Sequence, residues 1–249
     1  MTDQILVSDD GPVRTIRINR ADKRNALTGA MYHAMTQAMT GAASSGIRCL
    51  LIAGVPGAFS AGNDLSDFLK SEISTSPPGE PALEFLYALA QCECPIVAAV
   101  QGVAVGIGTT LLLHCDHVVA GTDARFSTPF VKLGLVPEGA SSLLAPRLMG
   151  HSRAFSLLVM GEEFDAAQAL SCGLINRIVA PEETDAEGLK AAQKIAMLPP
   201  EAVTLSRRLL RAPPAAIVER ISDEAELFRA RLASREAQEA FAAFLSRKP

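Results

Sequence analysis

A single acidic residue, Glu138, stands in a mostly apolar stretch between Pro129 and Ser142, and this stretch is predicted to be buried. Its neighbours on the N-terminal side are mostly large and apolar, namely Phe130, Val131, Leu133, Leu135 and Val136. A carboxylate among apolar groups is costly unless it is paired or used in a reaction. Loss of hydration raises the pKa of a buried carboxyl group, which makes it a stronger base than a carboxylate in water. Glu138 is therefore a candidate for proton transfer.

The alternative for Glu138 is a structural role at the start of a helix. The residues after Gly139 are predicted to be helical, and an acid close to a helix N-terminus is stabilised by the helix dipole. The dipole would also favour the ionised carboxylate and so oppose the effect of burial. The spacing of the residues leaves both interpretations open.

Two glycine-containing turns, Ser60–Asp64 and Val105–Gly108, are candidates for binding a developing negative charge. Backbone N–H groups at a loop-to-helix junction are fixed donors at the positive end of a helix. If the two turns converge in space, each could supply one amide to the same oxygen. Alternatively, each glycine only permits a tight turn. The GxG at 106–108 is not a GxGxxG dinucleotide motif.

The elements that must position these turns follow a repeated order along the chain. A buried strand, a glycine turn and a helix occur at 50–68 and again at 96–114, and further strands are predicted at 13–19 and in DHVVAG. Continuous apolar strands in repeated βα units indicate an α/β fold with buried sheets. Thr28 is a candidate N-cap for the helix that follows it, and the methionines of that helix, Met31, Met35 and Met39, recur at the spacing of a core-facing stripe.

The last third of the chain is predicted to be helical, with Pro199-Pro200 and Pro213-Pro214 as breaks between helices. We therefore divide the chain into a core at 1–195 and a helical region at 196–249. The final amphipathic segment carries charges of both signs. Those charges either form a solvated face or flank a surface that packs on a neighbouring subunit.

Composition excludes several classes of protein. The net charge of −4 and the lack of a basic block argue against a nucleic-acid partner. The apolar run from Pro95 to His114 is long enough to suggest a membrane span, but Gln101, three glycines and a threonine pair interrupt it, so we predict buried core. The N-terminal residues lack the basic and apolar segments of a signal peptide, so a cytoplasmic location is expected.

Other reactive residue types have simpler explanations. The five cysteines are an odd number, mostly in apolar segments, and are predicted to be reduced thiols. His114 and His117 flank Cys115-Asp116 and suggest a metal ligand pair, but a structural role is favoured and no metal site is predicted. Asp64 is expected to be a helix-start acid. No GxSxG nucleophile motif is present.

Several motifs in order resemble the crotonase (enoyl-CoA hydratase/isomerase) superfamily: FSAGNDL, VQGVAVGIG, FSTPFVKLGLVPEG and LSCGLINRIV. The resemblance covers almost the whole chain. It implies a ClpP-like spiral of ββα units followed by a helical trimerisation region, and hence a homotrimer or a dimer of trimers. It also implies a coenzyme A thioester as the ligand, with CoA as part of the substrate and no separate cofactor.

The resemblance assigns roles to particular residues. The amides of Asn63 and Ile107 occupy the positions of the family's oxyanion hole. Lys23 and Arg24 match the region that approaches the CoA phosphates. The adenine and pantetheine path would be lined by residues around the first glycine turn, namely Ser60, Gly62, Asp64 and Leu65.

The choice of branch depends on the positions of the acids. Hydratases of the family carry two glutamates, and the matching positions here are Thr110 and Phe130, neither of which is acidic. The segment FSTPFVKLGLVPEGASS and the terminal FLSRK instead resemble the peroxisomal-type Δ3,Δ2-enoyl-CoA isomerases, in which the glutamate of the PEG segment is the catalytic base. This implies that Glu138 is that base. The chain ends in RKP, not in a peroxisomal targeting tripeptide.

Two alternatives stay open after the resemblance is considered. The chain could be another enzyme of the family, including a weak hydratase. It could also be a non-catalytic acyl-CoA-binding protein, because related chromatin-associated domains have a similar PEG segment.

Overall fold

Repeated ββα units organise the computed structural model, which describes residues 3–64, 66, 80–211 and 213–246. The strands are β1 (Ile5–Asp10), β2 (Val13–Ile18), β3 (Cys49–Ala53), β4 (Ala58–Ser60), β5 (Ile96–Val100), β6 (Val103–Val105), β7 (His117–Gly121), β8 (Arg125–Ser127), β9 (Phe164–Asp165) and β10 (Arg177–Val179). The helices are α1 (Gly29–Thr40), α2 (Glu80–Gln91), α3 (Ile107–Thr110), α4 (Ser141–Met149), α5 (His151–Leu158), α6 (Ala166–Ser171), α7 (Thr184–Ala196), α8 (Pro200–Leu210), α9 (Pro214–Leu232) and α10 (Arg235–Ser246).

The strands form two sheets, and the same ββα units contribute strands to both. The six-stranded sheet has the order β1-β2-β3-β5-β7-β10 and the four-stranded sheet the order β4-β6-β8-β9. In three successive units, the first strand joins the large sheet, the second joins the small sheet, and a helix follows. All pairings are parallel except β1 with β2 and β8 with β9. The predicted α/β spiral of ββα units is confirmed.

The large sheet is buried on both faces, which explains the continuous apolar strands. Every residue of β3 and β5 is buried. Every second residue of these two strands, including Leu51 and Ala99, packs against Ala192 and Ala196 of α7. The residues between them face the main core. The apolar run from Pro95 to His114 is thus divided among β5, β6, α3 and a 3-10 turn. Within the described residues, no helix has the length and apolar character needed to cross a membrane.

The first helix follows the sequence prediction closely. The hydroxyl of Thr28 accepts a hydrogen bond from the Met31 N–H at 3.4 Å, which makes Thr28 the N-cap. Met31, Met35 and Met39 are each at most 4% exposed and belong to the main core. The methionine stripe is therefore packing, as predicted.

Four helices, α7 to α10, occupy the end of the chain. Pro200 and Pro214 begin α8 and α9, because the missing N–H of proline is not needed in a first turn. Ile217 and Ile221 of α9 belong to the same core as the strands. The division at residue 195 stays a prediction. On α8, Leu209 and Leu210 are each 87% exposed.

The structure differs from the sequence interpretation in two places. The strands β4, β6, β8 and β9 are only two or three residues long, and periodicity did not reveal them. In the stretch before Glu138, Phe130 and Leu135 are buried as expected, but Val131 is 45% exposed. Val131 begins a 3-10 turn that directs its side chain outward, so its predicted burial is wrong.

Candidate active site

The two glycine turns meet at the carboxyl ends of β4 and β6. These strands are parallel neighbours, with Ser60 paired to Ala104, so the turns that follow them lie side by side. Gly62 has φ +88°, and a Cβ placed on it would lie 2.8 Å from the carbonyl oxygen of Val105. Only glycine allows this approach of the two backbones. The convergence that the sequence left open is therefore present.

The backbone N–H groups of Asn63 and Ile107 do not take part in the backbone hydrogen bonds of the bridge and the helix to which these residues belong. In the bridge between Leu27 and Asn63, the Leu27 N–H donates to Gly62 at 2.8 Å and the Asp64 N–H donates to Leu27 at 2.9 Å. In this parallel pattern, the Asn63 N–H points away from Leu27. Ile107 is the first residue of α3, where an N–H has no intrahelical acceptor.

Both residues line one mostly apolar cavity of about 390 Å³. Phe130 after β8 forms part of its wall, and Phe228, Leu232 and Phe241 of α9 and α10 also line it. The carboxyl ends of three neighbouring parallel strands therefore meet at one cavity. Among the described residues the lining includes Leu135 but not Glu138, which contacts Thr110 on the helix that begins at Ile107.

Glu138 is 8% exposed, and its side chain has a specific partner. The hydroxyl of Thr110 on α3 donates to Oε1 of Glu138 at 2.6 Å. The pKa of Glu138 is raised to about 7: burial is the largest cause, the hydrogen bond from Thr110 opposes it, and the charge of the nearby Glu224 adds to it. A carboxyl group whose pKa lies near 7 can both accept and return a proton at physiological pH.

Glu224 binds the start of the helix that follows Glu138. Its carboxylate accepts the N–H of Ala140 at 2.6 Å and the N–H of Ser142 at 3.0 Å. It also accepts the hydroxyl of Ser142. The helix-start acid that the sequence left as an alternative for Glu138 is thus provided by Glu224 on α9.

Tyr32 connects the first helix to the first glycine turn. It is 3% exposed, and its hydroxyl donates to Oδ1 of Asn63. Burial, and then the charge of Glu138, raises the pKa of Tyr32 well above its ordinary value. Tyr32 is therefore a neutral donor close to both Asn63 and Glu138.

His114 supports the backbone beside Glu138. Its Nε2–H donates to the carbonyl of Gly139 at 2.7 Å. Burial lowers the pKa of His114 to about 4, so the ring is neutral at physiological pH. This is the structural role predicted for His114, and His117 begins β7. Across the described ranges, no three His, Cys, Asp or Glu side chains form a potential metal site, and the five cysteines are free.

The residues assigned to CoA lie around the first turn in different environments. Lys23 and Arg24 are exposed, and the Arg24 carbonyl accepts the Ala61 N–H at 2.9 Å, which places them beside the cavity wall. Ser60 is fully buried, and its hydroxyl donates to the Asn25 carbonyl at 3.0 Å. Leu65 lies outside the described residues.

Asp64 forms hydrogen bonds within the chain, and the helix predicted to start beside it lies almost entirely outside the described residues. Asp64 accepts Arg20 at 2.7 Å and the Ser66 N–H at 2.9 Å. Burial alone would raise the pKa of Asp64, but the hydrogen bonds from Ser66 and Arg20 outweigh it and lower the pKa to about 2. Its carboxylate is ionised and bound.

Asn25, Tyr32 and Glu224 are supporting residues that sequence reasoning missed. The buried side chain of Asn25 donates to Ala58 at 2.7 Å and accepts the Arg20 N–H at 2.8 Å, joining the early loop to β4. Glu224 carried a readable signal, because it stands with Ile217, Ile221 and Phe228 at the spacing of one helix face. The role of Tyr32 depends on a long-range contact.

Comparisons with known proteins agree with this geometry. The crystal structure of an enoyl-CoA hydratase/isomerase from Pseudoalteromonas atlantica T6c superposes with a TM-score of 0.92 and 39% identity, covering 99% of this chain and 98% of that one. Enoyl-CoA delta isomerase 2 of Rattus norvegicus is 32% identical over 98% of this chain, which spans 64% of that protein's length. A probable enoyl-CoA hydratase of Rhizobium meliloti is 30% identical over 98% of this chain and 95% of its own length.

The names of these relatives include both isomerases and hydratases at nearly equal identity. A sequence model described as enoyl-CoA hydratase/isomerase matches residues 9–249, almost the whole chain. The resemblance found in the motifs is confirmed, and the chain belongs to the enoyl-CoA hydratase/isomerase family.

Proposed function

We propose that this protein is a Δ3,Δ2-enoyl-CoA isomerase in which Glu138 shuttles one proton. The observation that carries the proposal is the buried Glu138 carboxyl group, whose pKa is raised to about 7 and which accepts a hydrogen bond from Thr110 on the helix that follows the second glycine turn. Glu138 and Glu224 are the two buried acids among the described residues, and Glu224 is occupied by the helix start.

The reaction requires one base and one site for negative charge. Glu138 removes a proton from carbon 2 of a 3-enoyl-CoA, and the electrons spread into a dienolate with charge on the thioester oxygen. The N–H groups of Asn63 and Ile107 bind that oxygen, and loss of one such donor typically costs about 10²–10³ in rate. Glu138 then returns the proton to carbon 4, which leaves the double bond between carbons 2 and 3.

The residues at the two hydratase positions support isomerisation over water addition. Thr110 has no acidic group, and its hydroxyl is bound to Glu138. Phe130 is 5% exposed and contributes apolar surface to the cavity wall. A water molecule there would lack the second carboxylate that activates it in the two-glutamate mechanism.

The remaining assignments are part of the same proposal. Lys23 and Arg24 would approach the CoA phosphates, while Ser60, Gly62, Asp64 and Leu65 would border the path to the thioester. The exposed Leu209 and Leu210 on α8 suit a subunit interface in a homotrimer. Cytoplasmic location and the lack of any cofactor beyond CoA in the substrate stay predictions.

The test compares 3-enoyl-CoA and 2-enoyl-CoA substrates on the wild type and on Glu138→Gln. We expect the wild type to convert 3-enoyl-CoA, with the conjugated product followed by absorbance, and Glu138→Gln to lose nearly all of this activity. Fast formation of a 3-hydroxyacyl-CoA from 2-enoyl-CoA would identify a hydratase instead. CoA binding by calorimetry without turnover of either substrate would identify a non-catalytic binding protein.

A further inference from the structure

Glu224 on α9 is a buried acid whose bonds all converge on the segment after Glu138. It is 5% exposed and accepts the N–H groups of Ala140 and Ser142 at 2.6 and 3.0 Å. Ala140 has φ +57°, a left-handed conformation that is unfavourable for a residue with a Cβ. Such a conformation persists only where the surrounding contacts enforce it. Glu224 provides one of those contacts.

We propose that Glu224 is a positioning residue for Glu138, which fixes the backbone that carries the base and holds a negative charge close to it. The inference rests on the proposed function, because it assumes that Glu138 transfers the proton. It assigns a catalytic consequence to α9, a helix about 85 residues further along the chain.

The backbone on the C-terminal side of Glu138 is held by a series of consecutive bonds. The carbonyl of Glu138 accepts the Ser141 N–H at 3.2 Å, and the carbonyl of Gly139 accepts His114 at 2.7 Å. The next amides, of Ala140 and Ser142, are the ones that Glu224 binds. Loss of Glu224 would therefore release this segment from α9 while Thr110 still holds the carboxyl group itself.

The charges around the two acids leave their repulsion only partly compensated. The titratable, charged and hydrogen-bonding groups come from α1, α2, α3 with its 3-10 extension, α4 and α9: Tyr32, Tyr87, Thr110, His114, Ser142, Arg220 and Asp223. His114 is neutral, and Arg220 lies nearer to Glu224 and to the exposed Asp223. The charge of Glu224 thus raises the pKa of Glu138, after the larger effect of burial.

The sign of the effect on the pH profile follows directly. Glu138 must be ionised to accept a proton, so the rate of isomerisation rises as pH rises through its pKa. Glu224→Gln removes the neighbouring charge and should lower the pKa of Glu138. The rising limb of kcat/KM should move to lower pH by roughly one unit.

The experiment measures isomerase kcat/KM against pH for the wild type, Glu224→Gln, Glu224→Asp and Glu226→Gln. Glu226 is exposed on the same helix, so Glu226→Gln is a matched control that should leave the profile unchanged. Glu224→Asp keeps the charge but shortens the reach to the two amides. It should keep the pH limb near that of wild type while kcat falls roughly tenfold to a hundredfold through misplacement of the base.

Each result decides the proposal. A folded Glu224→Gln enzyme whose pH limb stays at the wild-type position, or a folded Glu224→Asp enzyme with wild-type kcat, would overturn it. Failure of both variants to fold, judged by circular dichroism, would overturn it in favour of a purely structural role. Retained activity in Glu138→Gln would reject the proposed function itself, so the two failures are distinguishable.

Discussion

The hydroxyl of Thr110 donates a 2.6 Å hydrogen bond to Oε1 of Glu138. Thr110 occupies a position where the hydratases that this sequence resembles carry a glutamate. With Thr110 at that position the site lacks this glutamate, and the Thr110 hydroxyl orients Glu138, the acid that is present. Thr110 lies on α3, the helix that begins at Ile107. Its hydrogen bond therefore connects the helix with the Ile107 amide to the proposed base.

The Thr110 hydrogen bond should set the pH at which the enzyme becomes active. Thr110→Val keeps the side-chain shape but removes a donor that stabilises the ionised carboxylate. The pKa of Glu138 should rise, so the rising limb of kcat/KM against pH should move to higher pH, with a rate loss of roughly tenfold at neutrality. The measurement is isomerase activity across neutral pH. Thr40→Val, at an exposed threonine of α1, is the control.

The raised pKa of Glu138 should also appear in the pH dependence of stability. The folded protein binds this proton more tightly than the unfolded chain, because the pKa rises from 4.5 to about 7 on folding. Its contribution is therefore present below the unfolded pKa and is lost as pH rises through the folded pKa. Relative to wild type, Glu138→Gln should gain about 1–3 kcal/mol of unfolding free energy as pH rises from acidic to mildly alkaline.

Urea unfolding of the wild type and Glu138→Gln at several pH values measures this difference. Its change with pH is the informative quantity, since the amide also alters the contact with Thr110. A difference that stays constant across the range would show that Glu138 is not a buried group with a raised pKa.

The close contact at Gly62 should be necessary for the two turns to meet. Alanine there would have φ +88° and a Cβ 2.8 Å from the Val105 carbonyl. Gly57 has φ +91° with nothing within 4 Å of the corresponding Cβ, so Gly57→Ala carries the backbone cost alone. Gly62→Ala should lose about 1–3 kcal/mol more stability than this control, and at least about tenfold more in kcat.

Thermal unfolding and isomerase assays on these two glycine variants separate strain from misplacement. Equal effects of the two substitutions would mean that the contact with Val105 is not required. A loss of kcat in Gly62→Ala that exceeds its loss of stability would support the role of the turn in positioning the Asn63 amide.

The sequence predicts the fold through its long, periodic or fully apolar segments. The stretches around β3 and β5 are readable because both faces of the large sheet are covered, and α1 is readable from Thr28 and the methionine stripe. The small sheet could not be predicted from the sequence, because strands of two or three residues contain too few positions to show a period. Its short strands are nevertheless what bring the two glycine turns together.

The candidate site is predictable only where its residues belong to local motifs. Glu138, Asn63 and Ile107 stand in recognisable segments, and the structure places the last two at one cavity. Tyr32 contacts Asn63, 31 positions away, and Glu224 acts on residues 82 to 86 positions away. Such contacts depend on how the helices pack, which a single sequence does not encode in any local spacing.

Tyr32 should keep the first glycine turn in its active position. Its hydroxyl is the donor to the Asn63 side chain, and Tyr32→Phe leaves the side-chain oxygen of Asn63 without this bond while the ring packing on Phe85 remains. We expect kcat to fall roughly tenfold, because the adjacent Asn63 amide is no longer held where the thioester oxygen develops charge. The control is Tyr87→Phe, since Tyr87 bonds to Ser222 away from the turn. Wild-type kcat in a folded Tyr32→Phe enzyme would exclude this role, whereas a loss in that variant and not in Tyr87→Phe would establish that the Tyr32–Asn63 bond is needed for turnover.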